Sequence, residues 1–106
     1  MQVVLQVVSG CDIGRKVWLV PDQRIRVGAT EWADFAVRSD SGISSVHFLI
    51  RCGRDFCHIF DLRSRFGTFV NGHRVAFSQL SDGDVIRAGL TRFRVRFDRS
   101  LPLRAA

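Results

Sequence analysis

Ser44 and His47 stand three residues apart in Ser44-Ser45-Val46-His47 and are the two side-chain types that make a nucleophile and its base. On an extended strand the imidazole points away from Val46 and meets no neighbour that could orient it as a base. No acid completes the constellation and no oxyanion donor signature accompanies it, so catalysis is not expected. The Ser44 hydroxyl can instead bond an anion or its own backbone. The three cysteines, Cys11, Cys52 and Cys57, are odd in number, with no paired Cys-x-x-Cys spacing and no nearby Cys/His set. Neither a metal site, a disulfide framework nor a cofactor is expected from them, and thiols are the expected state. A hairpin turning on Arg54-Asp55 would pair Gly53 with Phe56 and set Cys52 opposite Cys57, with facing Cα atoms about 4.5 to 5.5 Å apart.

Charge sets the class of partner. Sixteen Lys plus Arg against ten Asp plus Glu leave a net +6, and all of the bases but Lys16 are arginine. Guanidinium forks match carboxylate and phosphate, so anionic partners are favoured. Arg92, Arg94 and Arg96 alternate with Phe93, Val95 and Phe97, which predicts an arginine ladder on one strand face. Such a ladder could follow a nucleic-acid backbone, but no exposed aromatic set is evident for stacking bases, and a solvated outer face is the expectation.

The elements that must carry these residues follow a period of two. Val3, Leu5 and Val7 alternate until Ser9-Gly10, and further short strands are expected over 16–20, 24–27, 34–37, 46–52, 56–62, 68–70, 74–77, 84–88 and 91–97. Turn signals separate them at Asp40-Ser41-Gly42, Gly53-Arg54-Asp55, Asn71-Gly72 and Asp82-Gly83. Residues 30–33 could form one short helical turn. With 106 residues and 46% hydrophobic side chains, this is one all-β domain, a β-sandwich of about ten or eleven short strands over residues 1–97. Residues 98–106 read as a short tail that frays or leads into more chain. Trp18 is expected on an inner strand face and Trp32 covering a loop. No apolar run approaches the ~18 to 20 residues of a membrane span, and the first residues lack a signal-peptide pattern, so a cytoplasmic location without a membrane partner is expected.

Three segments together resemble the forkhead-associated (FHA) family: Val27-Gly28, Ser44-Ser45-Val46-His47, and Asp61-Leu62-Arg63-Ser64-Arg65-Phe66-Gly67-Thr68-Phe69-Val70-Asn71-Gly72. The family pattern is a Gly-Arg, then SxxH, then DLxSxNGTxVNG. The resemblance implies an eleven-stranded sandwich whose loops at one end bind phosphothreonine peptides. It makes Ser44, Ser45, Arg63, Ser64 and Arg65 the candidate phosphopeptide contacts. Gly28, His47, Asp61, Gly67, Thr68, Asn71 and Gly72 become its structural residues, with His47 supporting a loop.

Two departures fall in the pocket. Ala29 stands where the family has the arginine that forks onto phosphate, and Phe66 stands where it has the asparagine that bonds the peptide backbone. A third, Ser45, replaces the usual basic residue after the first serine. The implied function is a non-catalytic interaction module for a protein or peptide, phosphorylated or not, with phosphothreonine recognition weakened or lost. Arg26, Arg63 or Arg65 could fill the vacated position. The alternatives are a phosphothreonine-dependent adaptor of bacterial Ser/Thr kinase signalling or type VI secretion, and a basic nucleic-acid-binding domain. Arginine at 29 and asparagine at 66 would be tolerated if both positions lie on exposed loops, whereas a buried Phe66 would add a cavity cost. The arginine-rich, tyrosine-free composition is compatible with a high-GC bacterium.

Overall fold

The alternation that marks the first strand is carried out in full: in β1 (Gln2–Ser9) Val3, Leu5 and Val7 are buried while the residues between them are half-buried. The same pattern governs β11 (Thr91–Asp98), where Phe93 and Val95 point inward and Arg92, Arg94 and Arg96 outward. These two long strands pair antiparallel from Gln2↔Asp98 to Val7↔Phe93 inside one sheet. The computed structural model describes residues 1–99, so the tail expected over 98–106 lies, from residue 100 onward, outside the described residues.

Among the described residues nine further strands complete two sheets. They are β2 (Lys16–Leu19), β3 (Arg24–Gly28), β4 (Phe35–Ala36), β5 (Phe48–Cys52), β6 (Cys57–Asp61), β7 (Thr68–Val70), β8 (His73–Val75), β9 (Phe77–Gln79) and β10 (Val85–Ala88). The six-stranded sheet runs β2-β1-β11-β10-β7-β8, and the five-stranded sheet runs β4-β3-β5-β6-β9. All pairs are antiparallel except β3 with β4. Phe48 of β5 meets Phe93 of β11 edge to face, ring centroids 5.5 Å apart, so the core is stitched from both sheets.

Three expectations are corrected here. The single strand expected over 74–77 is two strands, β8 and β9, which belong to different sheets because the chain crosses the sandwich at Ala76. Trp18 lies on the outer face, 51% exposed. Its neighbours Val17 and Leu19 pair with Leu5 and Val3 of the core row, and the pleat therefore turns Trp18 outward beside Val4. Trp32 is 69% exposed, too open to cover its loop as expected, in a turn where Ala33 N–H donates to Thr30 C=O. The hairpin register places Cys52 opposite Cys57, with Gly53 N–H donating to Phe56 C=O. Their Sγ atoms are 3.1 Å apart.

Candidate functional site

At one end of the sandwich three loops converge: 29–34 after β3, 37–47 before β5, and 62–67 before β7. Gly28 allows the first two to meet. A Cβ there would fall 2.2 Å from the Ser45 carbonyl oxygen, so any side chain would push the loops apart. Across this contact Ala29 N–H donates to Ser44 C=O, and the Thr30 hydroxyl donates to Ser45 C=O.

His47 joins the second loop to the third. It lies just before β5, fully buried, and it has the orienting partners that its sequence neighbourhood did not suggest. Ser44 N–H donates to Nδ1 at 3.1 Å, which leaves the proton on Nε2 to be donated to Gly67 C=O at 2.8 Å. Both partners are loop backbone groups and neither is an acid. The ring is therefore a staple between two loops, with no proton relay behind it.

Asp61 shapes the third loop from within. Its carboxylate accepts the Ser64 N–H and hydroxyl and the Thr68 hydroxyl. Partial burial works to raise its pKa, but those hydrogen bonds outweigh it and hold the carboxyl below the usual range. Ser64 Oγ also accepts the Gly67 N–H, so both roles of this hydroxyl are taken up inside the loop. Asn71 and Gly72 form the β7–β8 turn, both at positive φ of 49° and 85°. The Asn71 side chain ties that turn to Asp84 and Val85.

The outer surface of this end carries a shallow concavity of about 330 Å³ lined by Ser41, Gly42, Ser44, Ser45, Arg65 and Phe66. Ser44 Oγ accepts Arg65 N–H at 2.9 Å, so its own proton can still be donated outward. The Arg65 guanidinium lies 5.3 Å from the Phe66 ring centroid, and Phe66 is 56% exposed. Of the candidate contacts, Ser44, Ser45 and Arg65 are thus brought together. Ser64 faces into its own loop, and Arg63, at φ 55°, does not line the concavity. Arg26 is held by Asp34 on the outer face of the five-stranded sheet. Ala29 is half-buried and packs against the core. Among the described residues no group of three or more His, Cys, Asp and Glu is placed to hold a metal ion.

Two contributors were not read from the sequence. Asp40, buried, accepts Gly42 N–H, Leu90 N–H and the Thr91 hydroxyl, and so fixes the base of the Ser41–Gly42 wall to the β10–β11 turn. Burial raises its pKa, yet the Thr91, Gly42 and Leu90 hydrogen bonds prevail and lower it overall. Asp40-Ser41-Gly42 was legible as a turn, but the partners fifty residues away were not. Arg74 is the other: its Nε lies 2.7 Å from where a Gly67 Cβ would be, which puts the guanidinium over the third loop.

Comparison with known proteins supplies the class. The profile of the FHA domain matches residues 11–89, and the chain belongs to this family. FHA domains are non-catalytic phosphopeptide-binding modules, and the two-sheet, eleven-stranded architecture agrees. FHA domain-containing protein FhaA of Mycobacterium tuberculosis is 40% identical over 70 residues, covering 66% of this chain; the chain spans 13% of that relative's length. A structure described as a structural and functional analysis of phosphothreonine-dependent FHA domain interactions is 36% identical, with a TM-score of 0.84, and covers 97% of this chain and 100% of that one. The FhaA FHA domain complexed with the intracellular domain of Rv3910 is 36% identical, with a TM-score of 0.78, covering 89% and 99%.

Proposed function

We propose that this domain binds a protein partner through its 37–47 and 62–67 loops, with phosphate contributing little to the affinity. Phe66 carries the reading: an apolar ring, more than half exposed, stands at the lip of the concavity where the family pattern has an amide. Ala29, in place of the forked arginine, packs inward. Three of the concavity's polar groups, Ser41, Ser44 and Ser45, are neutral hydroxyls, and Arg65 is its one cation. A charge-assisted hydrogen bond contributes about 1.5 to 3 kcal/mol and a neutral one about 1 kcal/mol. Absence of the fork and the amide together removes about 2.5 to 4 kcal/mol, enough to carry a ~1 µM phosphopeptide towards the millimolar range. The FhaA domain in complex with the intracellular domain of Rv3910 is a relative that engages a protein partner, which supports a protein ligand here.

Restoring the clamp tests the reading. Ala29→Arg supplies a planar five-donor fork whose stem can leave the half-buried position, and Phe66→Asn supplies a donor and acceptor for peptide backbone. The double variant should bind phosphothreonine peptides at least ~10-fold more tightly than the wild type by isothermal titration, about 1.4 kcal/mol. Adding Ser44→Ala should remove most of that gain. A folded double variant with unchanged affinity overturns the proposal.

A further inference from the structure

The outer face of the five-stranded sheet is organised in two rows that the loop site does not use. Register places Arg24, Arg51, His58 and Gln79 side by side across β3, β5, β6 and β9. The next row is Arg26, Leu49, Phe60 and Phe77. One row is thus cationic over its first strands and the other is apolar after Arg26. Two arginines directly opposite each other, as Arg24 and Arg51 are, destabilise a sheet. Among the described residues neither makes an ion pair.

The aromatic residues on this face form a continuous cluster. Phe56 stacks on His58, centroids 4.7 Å apart, and Phe77 lies 5.1 Å from His58 and 5.0 Å from Phe60. Phe77 is 54% exposed, on the edge strand β9. Beside the cluster a groove of about 500 Å³ is lined by Arg24, Arg26, Asp34, Leu49 and Leu62. Leu62 opens the same loop that carries Arg65 and Phe66, so the groove begins at the loop end of the domain.

We infer that this face is a second docking surface, for an acidic polypeptide segment of a partner protein that carries apolar side chains between its carboxylates. Carboxylates answer the Arg24–Arg51 row, whose neighbour Asp34 acts on Arg24 only at longer range than an ion pair, and apolar side chains cover Leu49, Phe60 and Phe77. A single-stranded nucleic acid fits less well, because the groove beside the rings is walled by the aliphatic side chains of Leu49 and Leu62, which suit apolar side chains and offer no ring face to a base. The surface is separate from the loop concavity, so it stands whether or not phosphate is read there.

The test uses the wild-type domain and a short fluorescein-labelled peptide in which Glu alternates with Leu and Phe. Its twin has Lys in place of every Glu, and an oligo-dT strand serves as a third probe. The acidic peptide should shift the amide resonances of residues 24–27, 49–52, 57–60 and 77–79 in NMR spectra and leave those of 41–45 in place. Arg24→Ser with Arg51→Ser, and separately Phe77→Ser, should each weaken its binding by about tenfold, while Arg94→Ser on the opposite sheet changes nothing. Absence of binding, equal binding of the Lys twin, affinities unmoved by these variants, or tighter binding of oligo-dT to the same amides would each overturn the inference.

Discussion

Replacing His47 with alanine removes the ring that holds the two recognition loops together. The buried Gly67 carbonyl loses its donor among the described residues, costing about 1 to 3 kcal/mol, and the Ser44 N–H loses an acceptor worth about 1 kcal/mol. The ring itself is fully buried, so its removal adds a cavity. The total is about 3 to 5 kcal/mol, which for a domain of this size lowers Tm by about 15 °C. His47→Asn keeps an acceptor near Ser44 but cannot reach Gly67, and should fall between the two. Far-ultraviolet circular dichroism under urea is the suitable assay, because Trp18 and Trp32 are both exposed and their fluorescence reports unfolding poorly. Amide exchange at 41–45 and 62–67 should quicken more than at β1 and β11. A stability loss under about 1 kcal/mol, the scale of a surface change, would refute the staple.

Acid should act through Asp40 and Asp61, whose hydrogen bonds depress their pKa values in the folded state. Their contribution is complete above the unfolded carboxylate value of about 3.9 and is lost as pH falls through the lower folded values, so Tm should hold down to about pH 5 and decline below about pH 4. Melts recorded against pH check this, and Asp40→Asn should shallow the decline. Cys52 and Cys57 are buried, and the hydrogen bond in which the Cys57 thiol keeps its proton towards Cys52, then burial, push the Cys57 thiol up. A thiol reagent should therefore modify Cys11 alone in the native domain and all three cysteines in denaturant; rapid native modification of all three contradicts the burial. Changing Arg92, Arg94 and Arg96 together to serine should shift stability by no more than about 0.5 kcal/mol each, helped by removing the Arg87↔Arg92 repulsion. Salt-sensitive oligonucleotide binding that disappears in this variant would show the ladder to be functional.

Where strands are long and half-buried, residue type alone prescribes them: β1 alternates up to Val7 and β11 up to Arg96, and the Cys52↔Cys57 register follows from one turn. Where the chain changes sheet, periodicity is silent. Arg74, Val75, Ala76 and Phe77 read as one strand because no glycine, proline or other turn residue marks the crossing at Ala76. Trp18 was misplaced because a large apolar side chain suggests the core, whereas pleat parity with Leu5 and Val3 decides its direction. In the loops, motif spacing marked Ser44, His47 and Asp61. It did not reveal that Ser64 turns inward to Asp61, that Ala29 packs against the core, or that Asp40 reaches Leu90 and Thr91. The outer-face aromatic cluster was invisible for the same reason, since Phe77 joins Phe56, His58 and Phe60 only through the β6–β9 pairing.

Isothermal titration of the wild-type domain with a degenerate phosphothreonine peptide library and its unphosphorylated twin tests the central claim most directly. With Ala29 and Phe66 at the pocket positions, the two affinities should lie within about tenfold of each other, a difference of no more than about 1.4 kcal/mol. Low-micromolar binding of the phosphorylated library, with the twin more than about a hundredfold weaker, would contradict it and identify Arg65 or Arg74 as a replacement for the missing fork.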